Sequence, residues 1–128
     1  MAEPARKKLQ SYRELLVWQK SMDLVVGSCE LAKKLPQSEL FSLSDQIRRA
    51  AVSIPANIAE GYGRWNSRDY MRYLRIASGS LTELETHFLI GVRLKYLSRT
   101  EVESILTKTD ELGRMLTSLL QKLAIRNP

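Results

Sequence analysis

The chain has 128 residues and a formal net charge of +6. This length suits a single domain whose core needs neither a disulfide nor a metal for stability. With 44% hydrophobic and 27% charged residues, the composition excludes a disordered protein, and its excess of basic residues favours an anionic partner.

No targeting or membrane segment is predicted. The first residues are polar and basic, unlike a signal peptide, and no apolar run approaches the ~20 residues that span a bilayer. Cys29 is the only cysteine, so no internal disulfide can form, which suits a reducing cytosol. We therefore predict a cytoplasmic protein without membrane contacts.

Four amphipathic helices are predicted, and no stretch alternates like a strand. Ser11 and Glu14 have capping-box spacing at the start of the first helix, as Ser98 and Glu101 have at the start of the fourth. The predicted helices cover residues 11–34, 44–63, 66–93 and 98–123. Short connections between long helices predict an all-α, up-down-up-down antiparallel four-helix bundle. The predicted organisation is a flexible basic tail at 1–10, the bundle at 11–124 and a frayed C-terminus at 125–128.

The first helix carries two apolar stripes. One is predicted to face the core, and it consists of Leu15, Trp18, Met22, Val25, Val26 and Cys29. The other stripe repeats every seven residues on the face opposite the predicted core stripe and consists of Val17, Leu24 and Leu31. Because a bundle helix needs only one apolar face, we predict that Val17, Leu24 and Leu31 form a homo-oligomer interface. The alternative is that they are tolerated at the surface or covered by the N-terminal tail.

The stretch IPANIAEG places Pro55 inside the second predicted helix. Apolar residues keep one helical phase across it, which predicts a single helix bent at Pro55. A polar stripe that includes Ser53, Asn57 and Glu60 is expected to satisfy freed backbone groups or to pair with a neighbouring helix; a solvated face is the alternative. Gly61, with the glycine two residues later, is expected to end the helix by adopting positive φ.

RRAAVSIPANIAEGYGR, residues 48–64, resembles the signature of the four-helix-bundle proteins encoded in intervening sequences of bacterial large-subunit rRNA genes. The similarity includes LLVWQKSMDLV at 15–25 and YLRIASGSLTELETHFLIGVRLKYLS at 73–98. More distant relatives include the accessory protein of diversity-generating retroelements, a basic pentameric barrel that works with a reverse transcriptase and nucleic acid. The resemblance implies a bacterial helical bundle and makes a ring-like homo-oligomer, such as a pentamer, the expected assembly.

Arginines are concentrated between residues 48 and 75, where there is no lysine. The candidate nucleic-acid-binding residues are Arg48, Arg49, Arg64, Arg68, Arg72 and Arg75. The last three are spaced to share one outward face of the third helix, and guanidinium groups suit phosphate. Tyr62 and Trp65 are candidates for stacking on unpaired bases. The alternative is a solvated helix face with packed aromatic residues.

No catalytic, cofactor or metal site is predicted. His87 is the only histidine, so paired Glu-x-x-His ligands are impossible, and Cys29 lies on an apolar stripe. We expect a non-enzymatic protein that binds RNA in preference to DNA. It should contact mainly the phosphate backbone of the nucleic acid, so its affinity should fall as the salt concentration rises. The alternative is an interaction scaffold that docks an acidic or nucleic-acid-bound protein.

Overall fold

A computed structural model describes residues 11–126. The four helices are α1 (Leu16–Ala32), α2 (Leu43–Tyr62), α3 (Ser67–Arg93) and α4 (Arg99–Arg126). Each helix packs against its neighbours in the chain, and α1 also packs against α4. This closed circuit of antiparallel contacts confirms the predicted four-helix bundle. The predicted tail at 1–10 lies outside the described residues.

The start of α1 differs from the prediction. Ser11 caps a short 3-10 helix, Tyr12–Glu14, and its hydroxyl accepts from the backbone N–H of Arg13 rather than that of Glu14. Leu15 is extended, with φ −72° and ψ 126°, so α1 begins at Leu16 and not at residue 11 as predicted. The prediction that a capping box at Ser11 opens the first α-helix was therefore wrong: Ser11 caps a 3-10 turn, and the extended Leu15 separates that turn from α1.

The buried face of α1 is the one that the sequence analysis assigned to an interface. Val17 and Leu24 are buried and Leu31 is partly buried against the core, so the prediction that they form an exposed interface was wrong. Met22 and Val26, predicted as core, are 41% and 59% exposed. The physical reason is that Ser21 and Ser28 lie on the same buried face, which makes it look less apolar in sequence than the outer face.

The apolar phase predicted across Pro55 is confirmed. Four α2 residues have no exposed surface: Ile47, Ala51, Ile54 and Ile58. Pro55 is itself buried, and α2 continues through it without interruption. This helix makes its most extensive contacts with α3, and a hydrogen bond of 2.9 Å between the hydroxyls of Ser53 and Ser80 joins the two.

Reciprocal hydrogen bonds confirm the predicted capping box before α4. The Ser98 N–H donates to Glu101 Oε1 at 2.8 Å, and the Glu101 N–H donates to Ser98 Oγ at 3.0 Å. Lys34 also donates to Glu101 at 3.0 Å and ties the end of α1 to this cap. The Ser98 backbone N–H and Lys34 hold the pKa of Glu101 below its usual value. At its other end α4 continues to Arg126, beyond the predicted limit.

Candidate nucleic-acid interface

The connection between α2 and α3 holds the candidate site in place. Gly61 lets the helices approach closely, since a Cβ built at this position would lie 2.7 Å from the Tyr73 Cβ. The Asn66 side chain then caps α3 by accepting from the Asp69 N–H at 2.8 Å. Gly61 thus serves close packing. The predicted end of the helix is confirmed, since α2 ends at Tyr62 with Gly63 as its C-cap, but the expected positive φ was wrong, because no glycine in residues 11–126 has positive φ.

Three arginines form a ridge on the outer face of α3, and we call Arg68, Arg72 and Arg75 the α3 ridge. All three are exposed, and their spacing of four and three residues puts them on one side of the helix. None forms an ion pair within the described part of the chain. The ridge therefore presents three uncompensated cations to solvent, a surface that suits consecutive phosphates.

Arg64 is held in place beside this ridge. Its Nη2 lies 2.5 Å from Glu60 Oε2 and 2.7 Å from the Tyr73 hydroxyl. The guanidinium also lies 4.8 Å from the centre of the Tyr73 ring, and that of Arg72 lies 5.8 Å from the same centre. Tyr73 therefore sits between two arginines and restricts both. The contacts of Tyr73 were not predicted from the sequence, whereas the four-residue spacing of Glu60 and Arg64 was an available signal for their pairing.

The two aromatic candidates in this region differ sharply. Tyr62 is half-buried, and its ring packs edge-on against Tyr70 with centroids 5.9 Å apart and an interplanar angle of 83°. Burial, with a smaller effect of Tyr62, raises the pKa of Tyr70 to about 12, so Tyr70 stays neutral at physiological pH. Trp65 is fully exposed, at 101%. Trp65 is therefore the aromatic of this connection whose faces are open to a ligand.

Arg48 and Arg49 do not join the other arginines. Ser53 lies opposite Ser80, so Arg48 and Arg49 are level with the middle of α3, roughly 15 Å beyond Arg75 along the bundle. Arg49 is also paired with Asp45 at 2.8 Å. The stretch from 48 to 75 is thus one block in sequence but two separate surfaces in the structure, and the compact basic surface consists of Arg64 and the α3 ridge.

The remaining residues of the central motif organise the packing of α2. The Asn57 amide donates to the Ser53 carbonyl at 2.7 Å and to the Ser53 hydroxyl at 2.9 Å. Ser53 in turn reaches Ser80 on α3, while Glu60 turns to Arg64. The expectation therefore holds in part: the polar stripe does pair with a neighbouring helix, but through Ser53 rather than through Asn57 and Glu60, and Asn57 supports Ser53 from within α2.

The described residues contain no cluster of three or more His, Cys, Asp or Glu side chains that could hold a metal ion. His87 is largely buried, and its Nε2 lies 3.2 Å from Glu83 Oε2. Cys29 is partly buried on α1. The absence of enzyme activity stays a prediction. Within residues 11–126, no helix is long and apolar enough to cross a membrane.

These features define the class of the protein: an antiparallel four-helix bundle that carries an arginine-rich surface at its α2–α3 end. Residues 13–118 match the profile of the 23S rRNA-intervening sequence protein family. The chain belongs to this family, which confirms the resemblance drawn from the sequence.

A solved structure agrees with this assignment. It is the 1.70 Å crystal structure of a protein of unknown function from the S23 ribosomal protein family of Bacteroides thetaiotaomicron VPI-5482. This chain is similar to it with a TM-score of 0.76 and 31% sequence identity, over 82% of this chain and 98% of that one. A search of functionally curated proteins gives no match.

Proposed function

We propose that the protein is a non-enzymatic nucleic-acid-binding protein that contacts phosphates through Arg64 and the α3 ridge and prefers RNA to DNA. The observation that carries the proposal is the α3 ridge itself, three exposed arginines on one helix face without acidic partners in the described structure. Arg72 is steadied by the Tyr73 ring. The basic surface has four arginines against two nearby acids, Glu60 and Asp69.

The preference for RNA rests on the neighbouring aromatic residue and on the family. RNA-binding proteins that read single-stranded regions stack unpaired bases on aromatic side chains, and Trp65 is open to such contacts. The family is described by its association with 23S rRNA intervening sequences. No base-reading motif is visible in the sequence, so phosphate contacts should provide most of the affinity.

The proposal predicts that Arg68→Ala, Arg72→Ala and Arg75→Ala together greatly weaken RNA binding. Three lost phosphate contacts should lower the slope of log affinity against log salt by about 2 to 3. Fluorescence anisotropy with a labelled RNA hairpin across a salt series measures this slope. Circular dichroism establishes that the variant is folded.

The matched control removes the same charge elsewhere. Arg93, Lys95 and Arg99 are exposed and lie at the opposite end of the bundle, around the connection between α3 and α4, so replacing all three by Ala should have a much smaller effect on affinity. Equal losses in the two triple variants would mean that only net charge matters and would contradict the assigned surface. Absence of binding by the wild type at low salt would contradict nucleic-acid binding and favour an acidic protein partner for this surface.

We also propose that the protein forms homo-oligomers, with a corrected interface. Three exposed apolar residues are the candidate interface, and we call Met22 and Val26 on α1 and Val52 on α2 the α1–α2 apolar strip; they are 41%, 59% and 52% exposed, and Val26 also borders the groove between α1 and α4. Ser44 contacts the Ala32 carbonyl, so Val52 is level with the middle of α1 in this antiparallel pair. A shared apolar strip of this kind favours association.

Charges around the strip favour another copy of this chain as the occupant. Arg48 lies on α2, and Asp23 and Glu30 lie on α1, where they border the groove towards α4 together with Lys20 and Lys108. None of Arg48, Asp23 and Glu30 has an ion pair within residues 11–126. A partner with charges of both signs suits this rim, and a second copy of the chain provides them. A polyanion would be repelled by Asp23 and Glu30. The pentameric form stays a prediction from the resemblance.

A further inference from the structure

Trp65 has no packing role in the described structure. Its side chain is fully exposed, at 101%, whereas Trp18 is half-buried and packs edge-on against Tyr12 with ring centroids 5.2 Å apart. Tryptophan is usually well buried because its large apolar surface gains from removal from water. An exposed tryptophan next to a charged surface is therefore available for a ligand, since aromatic rings contribute strongly at binding surfaces.

The backbone beside Trp65 is nevertheless fixed. On one side Arg64 is anchored by Glu60 and Tyr73. On the other side Asn66 caps α3 through its hydrogen bond to the Asp69 N–H. The indole thus projects from a short connection held between two long helices, so a ligand that stacks on it need not order the chain first.

The neighbouring charges indicate what stacks there. Arg68 follows Trp65 by three residues and is exposed without an acidic partner among the described residues. Phosphate contacts and a stacking surface are therefore adjacent. Bases inside a duplex offer no free face, whereas bases in loops, bulges and single-stranded ends can stack on an aromatic ring. A protein or membrane anchor would be expected to include further exposed apolar side chains beside Trp65, but the residues around it are polar or charged.

We propose that Trp65 stacks on an unpaired base of the bound nucleic acid while the α3 ridge contacts the adjoining phosphates. The substrate class is then RNA with a single-stranded loop, bulge or end next to a helical stem. This inference rests on the proposed nucleic-acid-binding function and adds a requirement for an unpaired base.

The test compares a stem-loop RNA with the same stem as a blunt duplex. Trp65→Ala should weaken stem-loop binding about tenfold or more, the range expected for loss of one stacked base, and should leave duplex binding nearly unchanged. Trp65→Phe should restore most of the loss because it keeps an aromatic face. Phe41, 90% exposed in the connection at the opposite end of α2, provides the matched control, and Phe41→Ala should bind both RNAs like the wild type.

Intrinsic fluorescence gives a second measurement. The chain has two tryptophans, so Trp18→Phe leaves Trp65 as the only one. Stem-loop RNA should quench this fluorescence, and a blunt duplex many base pairs long should quench it much less, because bases paired within a helix cannot cover the indole.

The outcomes separate this inference from the function on which it rests. Equal stem-loop affinity of Trp65→Ala and wild type, with binding still lost in the α3 ridge variant, would overturn stacking and retain phosphate binding. Equal weakening of both RNAs by Trp65→Ala would also overturn the requirement for an unpaired base. A wild type that binds neither RNA at low salt would overturn both proposals.

Discussion

Gly61 determines how closely α2 and α3 meet beneath the basic surface. Its hypothetical Cβ would approach Tyr73 Cβ at 2.7 Å and the Tyr70 carbonyl oxygen at 3.2 Å. Neither is the free end of a flexible side chain, so accommodation of a methyl group requires the helices to separate. Since Tyr73 also contacts Arg64, this spacing affects the site as well as the core.

We expect Gly61→Ala to lower the free energy of unfolding by about 1–3 kcal/mol through overpacking. Gly79 is the matched control, since it is exposed within α3 and its Cβ would meet nothing within 4 Å. Gly79→Ala should raise stability by about 0.5–1 kcal/mol because alanine favours the helix. Urea denaturation of both variants measures the difference. A Gly61→Ala protein as stable as wild type would show that the helices adjust freely here.

At the same scale, sequence reasoning identified the polar residues of the central motif but not their partners. The spacing of Ser53 and Asn57 predicted that they share a helix face, and the structure places them in one hydrogen-bonded pair. The link from Ser53 to Ser80 could not be read from local spacing, because it depends on the register of α2 against α3. Tyr73 was missed as an arginine contact for the same reason.

Among the helices, α1 shows where hydrophobic pattern alone misleads. Its buried face includes Ser21, whose hydroxyl donates to the Trp18 carbonyl at 2.7 Å. This bond within the helix satisfies the hydroxyl, so the serine can be buried at little cost. The outer face, with Met22 and Val26, consequently looks more apolar than the core face. The sequence predicted that α1 has two apolar faces but could not show which one meets α2 and α4.

The end of α3 forms a C-terminal capping motif that was not predicted from the sequence. Lys95 has φ 64° and is the only non-glycine residue in 11–126 with a positive φ. Two hydrogen bonds close the turn: the Tyr96 N–H donates to the Gly91 carbonyl at 2.9 Å, and the Lys95 N–H donates to the Val92 carbonyl at 3.0 Å. This is a Schellman motif, with lysine at the position that glycine usually occupies.

We expect Lys95→Gly to raise the free energy of unfolding by about 1 kcal/mol, because left-handed backbone costs an L-residue roughly 1–2 kcal/mol and glycine is more flexible when unfolded. Chemical denaturation at equilibrium measures the change. Lys95→Ala retains a Cβ, and with it the backbone strain at positive φ, but lacks the ammonium group. Its free energy of unfolding should therefore not rise. If both variants gain stability equally, removal of the charge, not relief of backbone strain, explains the effect.

For the molecule as a whole, the fold was largely predictable and the surfaces were not. Long amphipathic helices with short connections allow few arrangements, and the predicted bundle followed. Surfaces combine residues from different helices: Arg48 and Arg49 are near the other arginines in sequence but belong to another part of the bundle. The α1–α2 apolar strip likewise became visible only when Val52 was placed beside α1.

We expect Val26→Glu to disrupt self-association and raise the dissociation constant at least tenfold, because association would bury an unpaired carboxylate. Light scattering combined with gel filtration measures the oligomer mass. Ile125→Glu is the control, since Ile125 is 79% exposed on α4 outside the strip. Unchanged mass in Val26→Glu would exclude the strip as the interface, and a monomeric wild type would contradict homo-oligomerisation.

The packing of α1 against α4 also has a consequence for chain connectivity. A shallow groove of about 330 Å³ is lined by Leu15 and Leu16 at the start of α1 and by Leu119 and Lys122 near the end of α4. The start of the first helix and the end of the last helix therefore lie side by side. A linker that joins them, with new termini opened at Lys95, would preserve every helix–helix contact. Such a circular permutant should fold, and its termini would lie at the end of the bundle opposite Trp65.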